Sequence, residues 1–297
     1  MRTASHGENS LRKSSSSTDT LMLLSRFTLI AMAERSGIAK RLVVQEGRTT
    51  LEWTQFGAAL FDLDGVVTKT ARVHASAWQH LFNEYLQSDS VRTGRPFRPF
   101  DIDQDYRVYV DGKPRYEGVK SFLDSRGIAL PWGTPEDGPE ADTIYGLGNK
   151  KDGYFETYLG ESGVEVYEGT VRFLRVARDR GLKTAVVSSS SHCKQVVESA
   201  GLTLLFDTRV DGLETQRLHL RGKPAPDTFL EAARRLNVPP ERAIVIEDAQ
   251  AGVVAGRAGG FGLVIGLDRR HQADALRQQG ADIVAADLSD LLPQDQP

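Results

Sequence analysis

From residue 57 onward the chain alternates short, wholly apolar runs with longer segments whose apolar positions recur every three or four residues. AALFD (58–62), KTAVVS (183–188), AIVIED (243–248) and GLVIGL (262–267) are bounded by turn or acidic residues, a pattern that predicts buried strands. SHCKQVVESAGL, APDTFLEAARRLNV and AQAGVVAGRAGG have helical spacing, and Pro226 opens the second in a first-turn position that needs no N–H. Strand and helix in alternation predict an α/β fold: a Rossmann-like parallel sheet with helices on both faces. Ligands of such sheets sit beyond the carboxyl ends of the strands. Three of the strands end in polar groups, namely Asp62 with Asp64, Ser188, and Glu247 with Asp248.

Between residues 70 and 165 the rhythm breaks. TARVHASAWQHLFNEYL carries an apolar helical face of Val73, Ala77, Trp78, Leu81, Phe82 and Tyr85. Turn-rich TGRPFRPFDID and PWGTPEDGPEAD flank a helix-like RYEGVKSFLDSRG. The expected organisation is a core domain of residues 56–69 and 166–292, with a helical cap inserted over 70–165. Residues 1–50 read as an unstructured or wrongly started extension. SHGENSLRKSSSSTDT is polar and of low complexity, while the apolar run after it is interrupted by Arg26 and too short to span a bilayer. A start at Met32 accounts for that run as well as an export signal does.

Composition narrows the function. Hydrophobic residues are 40% and charged residues 26%, as in soluble globular proteins. A net charge of −3 gives no basic field for nucleic acid, and no segment argues for a membrane partner. The single Cys193 excludes an internal disulfide and fits a reducing cytoplasm. His74 and His80, six apart, fall on different faces of a helix and make no zinc pair. A monomer acting on a small molecule is the expectation.

Asp62 and Asp64 remain to be explained, because like charges two residues apart need a compensating cation unless they form a solvated turn. Gly65 permits the sharp turn that would bring both to the crevice. FDLDGVVTKT, VVSSSS, GKPAPD and VIEDAQAGV, in that order, resemble the four motifs of the haloacid dehalogenase superfamily. The match is nearest its β-phosphoglucomutase-like branch, with a helical cap after the first motif. The resemblance implies that Asp62 is a nucleophile forming an aspartyl phosphate and that Asp64 is the general acid and base. It implies that Ser188, the N–H of Ser189 and Lys223 hold the transferring phosphoryl group. Mg²⁺ would sit on Asp62, the carbonyl of Asp64, Glu247 and Asp248, an oxygen donor set that suits this ion.

The resemblance extends to the cap. Thr70 and His74 stand at hinge positions, Arg115 at the position that grips a distal phosphate, and Lys151 near the sugar, with Lys150 as an alternative. Ser190 and His192 fall where the non-transferring phosphate is bound. Three residues depart from the pattern: His192 replaces an asparagine, Lys69 an aspartate and Ala249 a serine, and residues 125–148 carry extra turn-rich material. Singly, each residue has a plainer reading: strand-end aspartates cap turns, serine runs form loops, and His74 and Trp78 pack on a helix. Lys223, Arg115 and Lys151 could be solvated cations. Together, the resemblance implies, they interconvert β-D-glucose 1-phosphate and glucose 6-phosphate through a bisphosphate. The alternatives are a phosphatase acting on a hexose phosphate or trehalose 6-phosphate, and a non-catalytic sugar-phosphate sensor.

Overall fold

The computed structural model describes residues 42–45 and 48–293. The low-complexity stretch, Arg26 and Met32 lie outside them. β1 (Leu42–Gln45) and β2 (Arg48–Leu51) pair antiparallel, Leu42 opposite Leu51. Regular structure thus begins inside the segment read from sequence as an unstructured extension. Its β-branched residues, Val43, Val44, Thr49 and Thr50, favour the extended backbone.

β3 (Ala58–Phe61) enters the main sheet, and the chain then leaves it for three helices: α1 (Ala71–Thr93), α2 (Arg115–Ser125) and α3 (Ile144–Ser162). It returns through α4 (Glu168–Asp179), β4 (Lys183–Val187), α5 (Cys193–Ser199), β5 (Thr208–Val210), α6 (Gly212–Arg217) and α7 (Asp227–Leu236). β6 (Ala243–Glu247), α8 (Gln250–Ala258), β7 (Leu263–Leu267), α9 (Ala273–Gln278) and β8 (Ile283–Ala285) complete it. The order across the sheet is β5-β4-β3-β6-β7-β8, all parallel. The four strands anticipated from apolar runs form its centre. β5 and β8 are three-residue edge strands, too short to show a periodicity.

Strand order reverses at β3, which has β4 on one side and β6 on the other, so the binding crevice opens beyond its carboxyl end. Phe61 lies level with Val186 and Ile246, which sets Asp62 beside Val187 and Glu247. Apolar clusters cover both sheet faces, one including Phe61, Phe173 and Ile246 and the other Leu60, Val187 and Phe229.

The inserted helices have a core of their own. Trp78, Phe82, Phe100, Phe122 and Leu147 are buried together, with the rings of Phe82 and Phe122 4.1 Å apart. Two linkers join this unit to the sheet and run side by side. Thr68 forms an antiparallel bridge with Val166, the Lys69 N–H donates to the Glu165 carbonyl at 2.9 Å, and the Tyr167 N–H donates to Val67 at 3.0 Å. Among the described residues no helix is long and apolar enough to cross a membrane.

Candidate active site

The carboxyl end of β3 holds two acids because the chain turns back on itself at once. Gly65 has φ +96°, and a Cβ there would stand 2.0 Å from Asp248 Oδ2, so only glycine lets the loop carry Asp64 past Asp248. Carboxylate oxygens of Asp62, Glu247 and Asp248 all lie within 4.8 Å of one another, and all three residues are buried. Burial lifts the Asp62 carboxyl well above the usual range; Lys223 opposes this, while Glu247 and Asp64 add to it. Asp248 is raised by burial and by Asp111, Asp62 and Glu247. The cluster is short of positive charge, and its donors are all oxygen. Both properties fit a hard divalent cation.

Lys223 is 2% exposed. Its ammonium donates to Asp62, stands 2.6 Å from Glu247 Oε1, and donates to the Val187 carbonyl at 3.1 Å. Burial works to discharge it, and the two carboxylates more than offset that. Glu247 Oε2 also accepts from the N–H groups of Asp248 and Ala249, both at 3.1 Å.

Asp64 faces the inserted helices. The Thr70 hydroxyl donates to its Oδ1, His74 Nε2 stands 3.4 Å from the same oxygen, and the Ser188 hydroxyl donates to Oδ2 at 3.3 Å. Burial alone would raise this carboxyl, yet His74, Thr70 and Lys151 outweigh it and hold it at about 2. Behind His74, Lys151 Nζ sits 2.7 Å from Nδ1, over the rings of Trp78 and Phe155. With Nδ1 accepting from Lys151, the ring hydrogen is on Nε2, facing Asp64. Burial and Lys151 push the His74 pKa down, and burial with Arg115 pushes Lys151 down to about 7. Lys150, the alternative in sequence, pairs instead with Glu84 at 2.7 Å and Glu140 at 3.6 Å, away from the crevice.

A second set of groups closes the opposite wall. Arg115 forms an ion pair with Asp152 Oδ1, which also lies 2.9 Å from His192 Nε2. Ser190 accepts from the His192 N–H at 3.2 Å, the Ser190 N–H donates to Ser188 Oγ at 3.0 Å, and the Ser189 hydroxyl donates to the Gly112 carbonyl at 2.7 Å. The buried Nε of Arg115 has no hydrogen-bond partner among the described residues. Between the walls is a cavity of about 120 Å³ lined by Asp62, Asp64, His74, Arg115, Lys151 and Asp248. Ligand pockets commonly measure about 300–1,000 Å³, so the space between the walls is narrow for a sugar phosphate.

A sequence model of the haloacid dehalogenase-like hydrolases matches residues 56–260. The chain belongs to that family. Within it, the proteins named β-phosphoglucomutase from Mycobacterium bovis and Mycobacterium tuberculosis are each 48% identical over 238 residues, 79% of this chain and 91% of theirs. The crystal structure of a β-phosphoglucomutase from Clostridium difficile superposes with a TM-score of 0.62 at 25% identity, covering 80% of this chain and 93% of that one. A more distant relative, the validoxylamine A 7′-phosphate phosphatase of Streptomyces hygroscopicus subsp. limoneus, is 29% identical over 241 residues, 80% of this chain and 96% of its own.

The four family motifs therefore meet in one crevice. Sequence reasoning missed three neighbours. Asp152 links Arg115 to His192, and nothing in its helical surroundings separates it from a solvated acid. Asp111, on the inserted unit, is raised to about 6 by burial, with Glu247 and Asp64 adding and Arg270 and Tyr106 opposing. Arg270, from the loop after β7, lies 4.4 Å from the Tyr106 ring.

Proposed function

We propose that the protein is a β-phosphoglucomutase, converting β-D-glucose 1-phosphate into glucose 6-phosphate. The observation that carries this reading is a second polar site, the Arg115 guanidinium with Asp152, His192 and Ser190 around it, on the same cavity as the Asp62 cluster. A substrate with two phosphates needs both, whereas hydrolysis of a monoester needs only the first. The 48% identity to proteins of that name over nearly their whole length supports it.

On this reading Asp62 attacks the phosphorus of the ester, forming its bond to the phosphoryl group as the sugar oxygen leaves. Lys223, Ser188 and the N–H of Ser189 steady the phosphoryl oxygens. Asp62, Asp248 and the Asp64 carbonyl, with Glu247 behind them, would hold Mg²⁺, which supplies charge neutralisation between carboxylate and phosphate. Asp64 is held ionised, which suits the half-reaction that starts from phosphorylated Asp62. It takes the proton of a sugar hydroxyl as that oxygen attacks, then returns a proton to the leaving oxygen in the next half. Thr70 and His74 orient it. Arg115, Ser190 and His192 hold the other phosphate, and Lys151 stands by the sugar. The cap is residues 70–165, and the reaction runs in a reducing cytoplasm where the buried Cys193 stays a thiol.

The test follows glucose 6-phosphate formed from β-glucose 1-phosphate with Mg²⁺, with and without glucose 1,6-bisphosphate. The mutase reading expects product, accelerated by the bisphosphate. Rapid release of inorganic phosphate with no glucose 6-phosphate would establish a phosphatase instead, the activity named for the Streptomyces relative.

A further inference from the structure

The turn-rich segment 131–143 has no part in the chemistry above, yet it is tied to a residue that does. Its fold centres on Asp137, whose carboxylate accepts from the Thr134 N–H at 3.2 Å and from the hydroxyls of Thr134 at 3.1 Å and Thr143 at 2.6 Å. The carbonyls of Pro135 and Asp137 in turn accept from Asn149 Nδ2, on α3, at 3.1 and 2.8 Å. A side-chain amide nitrogen has two hydrogens, and both are taken here. The orientation of Asn149 is thereby fixed, leaving Oδ1 as an acceptor 2.9 Å from the Tyr116 hydroxyl.

The polarity continues one step further. A phenol has one hydrogen, and Tyr116 gives it to Asn149. Its oxygen is then an acceptor only, and it accepts from Arg115 Nη2 at 3.1 Å. The guanidinium also lies 4.9 Å from the Tyr116 ring centroid. Gly148 makes room for this arrangement, since a Cβ there would stand 2.5 Å from Tyr116 Cδ1. Asp152 holds Arg115 too, but as a counter-charge that must give way to a phosphate. Tyr116 orients the guanidinium without neutralising it.

We propose that segment 131–143 is a positioning element for Arg115, acting through Asn149 and Tyr116 to aim the guanidinium at the distal phosphate of the substrate. This rests on the reading of Arg115 as the distal-phosphate group. The chain of donors runs in one direction only, so breaking any link removes this restraint on the guanidinium, leaving Asp152 as its remaining polar partner and the Asp62 cluster intact.

The experiment compares Tyr116→Phe, Asn149→Ala, Arg115→Ala and the Tyr116→Phe/Arg115→Ala pair in the full-length protein. Mutase KM and kcat are measured with β-glucose 1-phosphate and the bisphosphate, alongside hydrolysis of p-nitrophenyl phosphate, which has no distal phosphate. Loss of one hydrogen bond to a charged group predicts a roughly tenfold rise in mutase KM for Tyr116→Phe, and the loss of its neutral support a smaller rise for Asn149→Ala, with a smaller change in kcat in both. The mutase-to-hydrolysis ratio falls in step, and Tyr116→Phe adds nothing once Arg115 is gone. KM values within twofold of wild type for Tyr116→Phe, while Arg115→Ala raises KM, would overturn the proposal. So would full additivity in the pair. If Arg115→Ala itself leaves the ratio unaltered, the distal-phosphate reading fails and this proposal with it. Tyr116→Phe removes a single oxygen and decides the matter even if Asn149→Ala does not fold.

Discussion

Replacing Lys223 by methionine isolates what one buried cation does for the site. Methionine keeps the apolar stem, so little cavity is created and the charge is the main loss. The ammonium serves Asp62, Glu247 at 2.6 Å and the Val187 carbonyl, with the side chain 1% exposed. Removing one partner of a buried ion pair costs about 3–5 kcal/mol, a large share of the roughly 5–15 kcal/mol that stabilises a domain. Urea denaturation of Lys223→Met in EDTA at neutral pH should therefore show that loss with an unchanged m-value. The loss should shrink in acid. Asp62 and Asp248 already bind protons more tightly folded than ordinary carboxyls do, and Asp62 does so more strongly without Lys223. An acid whose folded pKa is raised takes up protons on folding, so stability rises as pH falls through that pKa. Added Mg²⁺ should narrow the loss at neutral pH, because the carboxylate cluster without Lys223 is more negative and its folded form binds the ion more tightly. A variant as stable as wild type in EDTA, or a loss that does not vary with pH, would refute this account of the cluster.

Three further outcomes are expected. Asp62→Asn should abolish turnover, with no ³²P retained on the denatured protein after incubation with labelled substrate. Gly65→Ala, whose Cβ would lie 2.0 Å from Asp248 Oδ2 at a backbone φ of +96°, should weaken Mg²⁺ binding by calorimetry roughly tenfold or more while the protein still folds. Asp64, held at about 2 against an ordinary 3.8, contributes about 2 kcal/mol that is present above the ordinary value and lost as pH falls through the folded one. The stability advantage of wild type over Asp64→Asn should accordingly shrink between pH 4 and pH 2.

The centre of the molecule was legible because its signals are local. Three of the motifs sit where an apolar run stops, so Asp62, Asp64, Ser188, Glu247 and Asp248 could be assigned to one crevice before their distances were known. Lys223, on a loop, needed the order of the motifs. The cap was less readable. Arg115 and Lys151 could be named only by resemblance, and the choice between Lys150 and Lys151 depends on which way α3 faces, which a helix of mixed polarity does not declare. Asp111 and Asp152 look like surface acids in sequence. The burial of Asp111 and the partial burial of Asp152 come from how the inserted unit rests on the sheet, where Asp152 meets His192 40 positions away in the chain. The edge strands β5 and β8 and the β1–β2 ladder were too short for any period to appear.

The paired linkers also limit how the site can open. Two chains bonded to each other at Thr68 and Val166 resist twisting far better than one, and so the inserted unit is left chiefly with a swing about the axis they define. Groups close to that axis travel little and those at the far rim travel most. Thr70, two residues from the bridge, lies close to that axis and donates to Asp64. On the proposed roles, the linkers thus tie the inserted unit to the sheet right beside the proton-handling pair, Asp64 and Thr70.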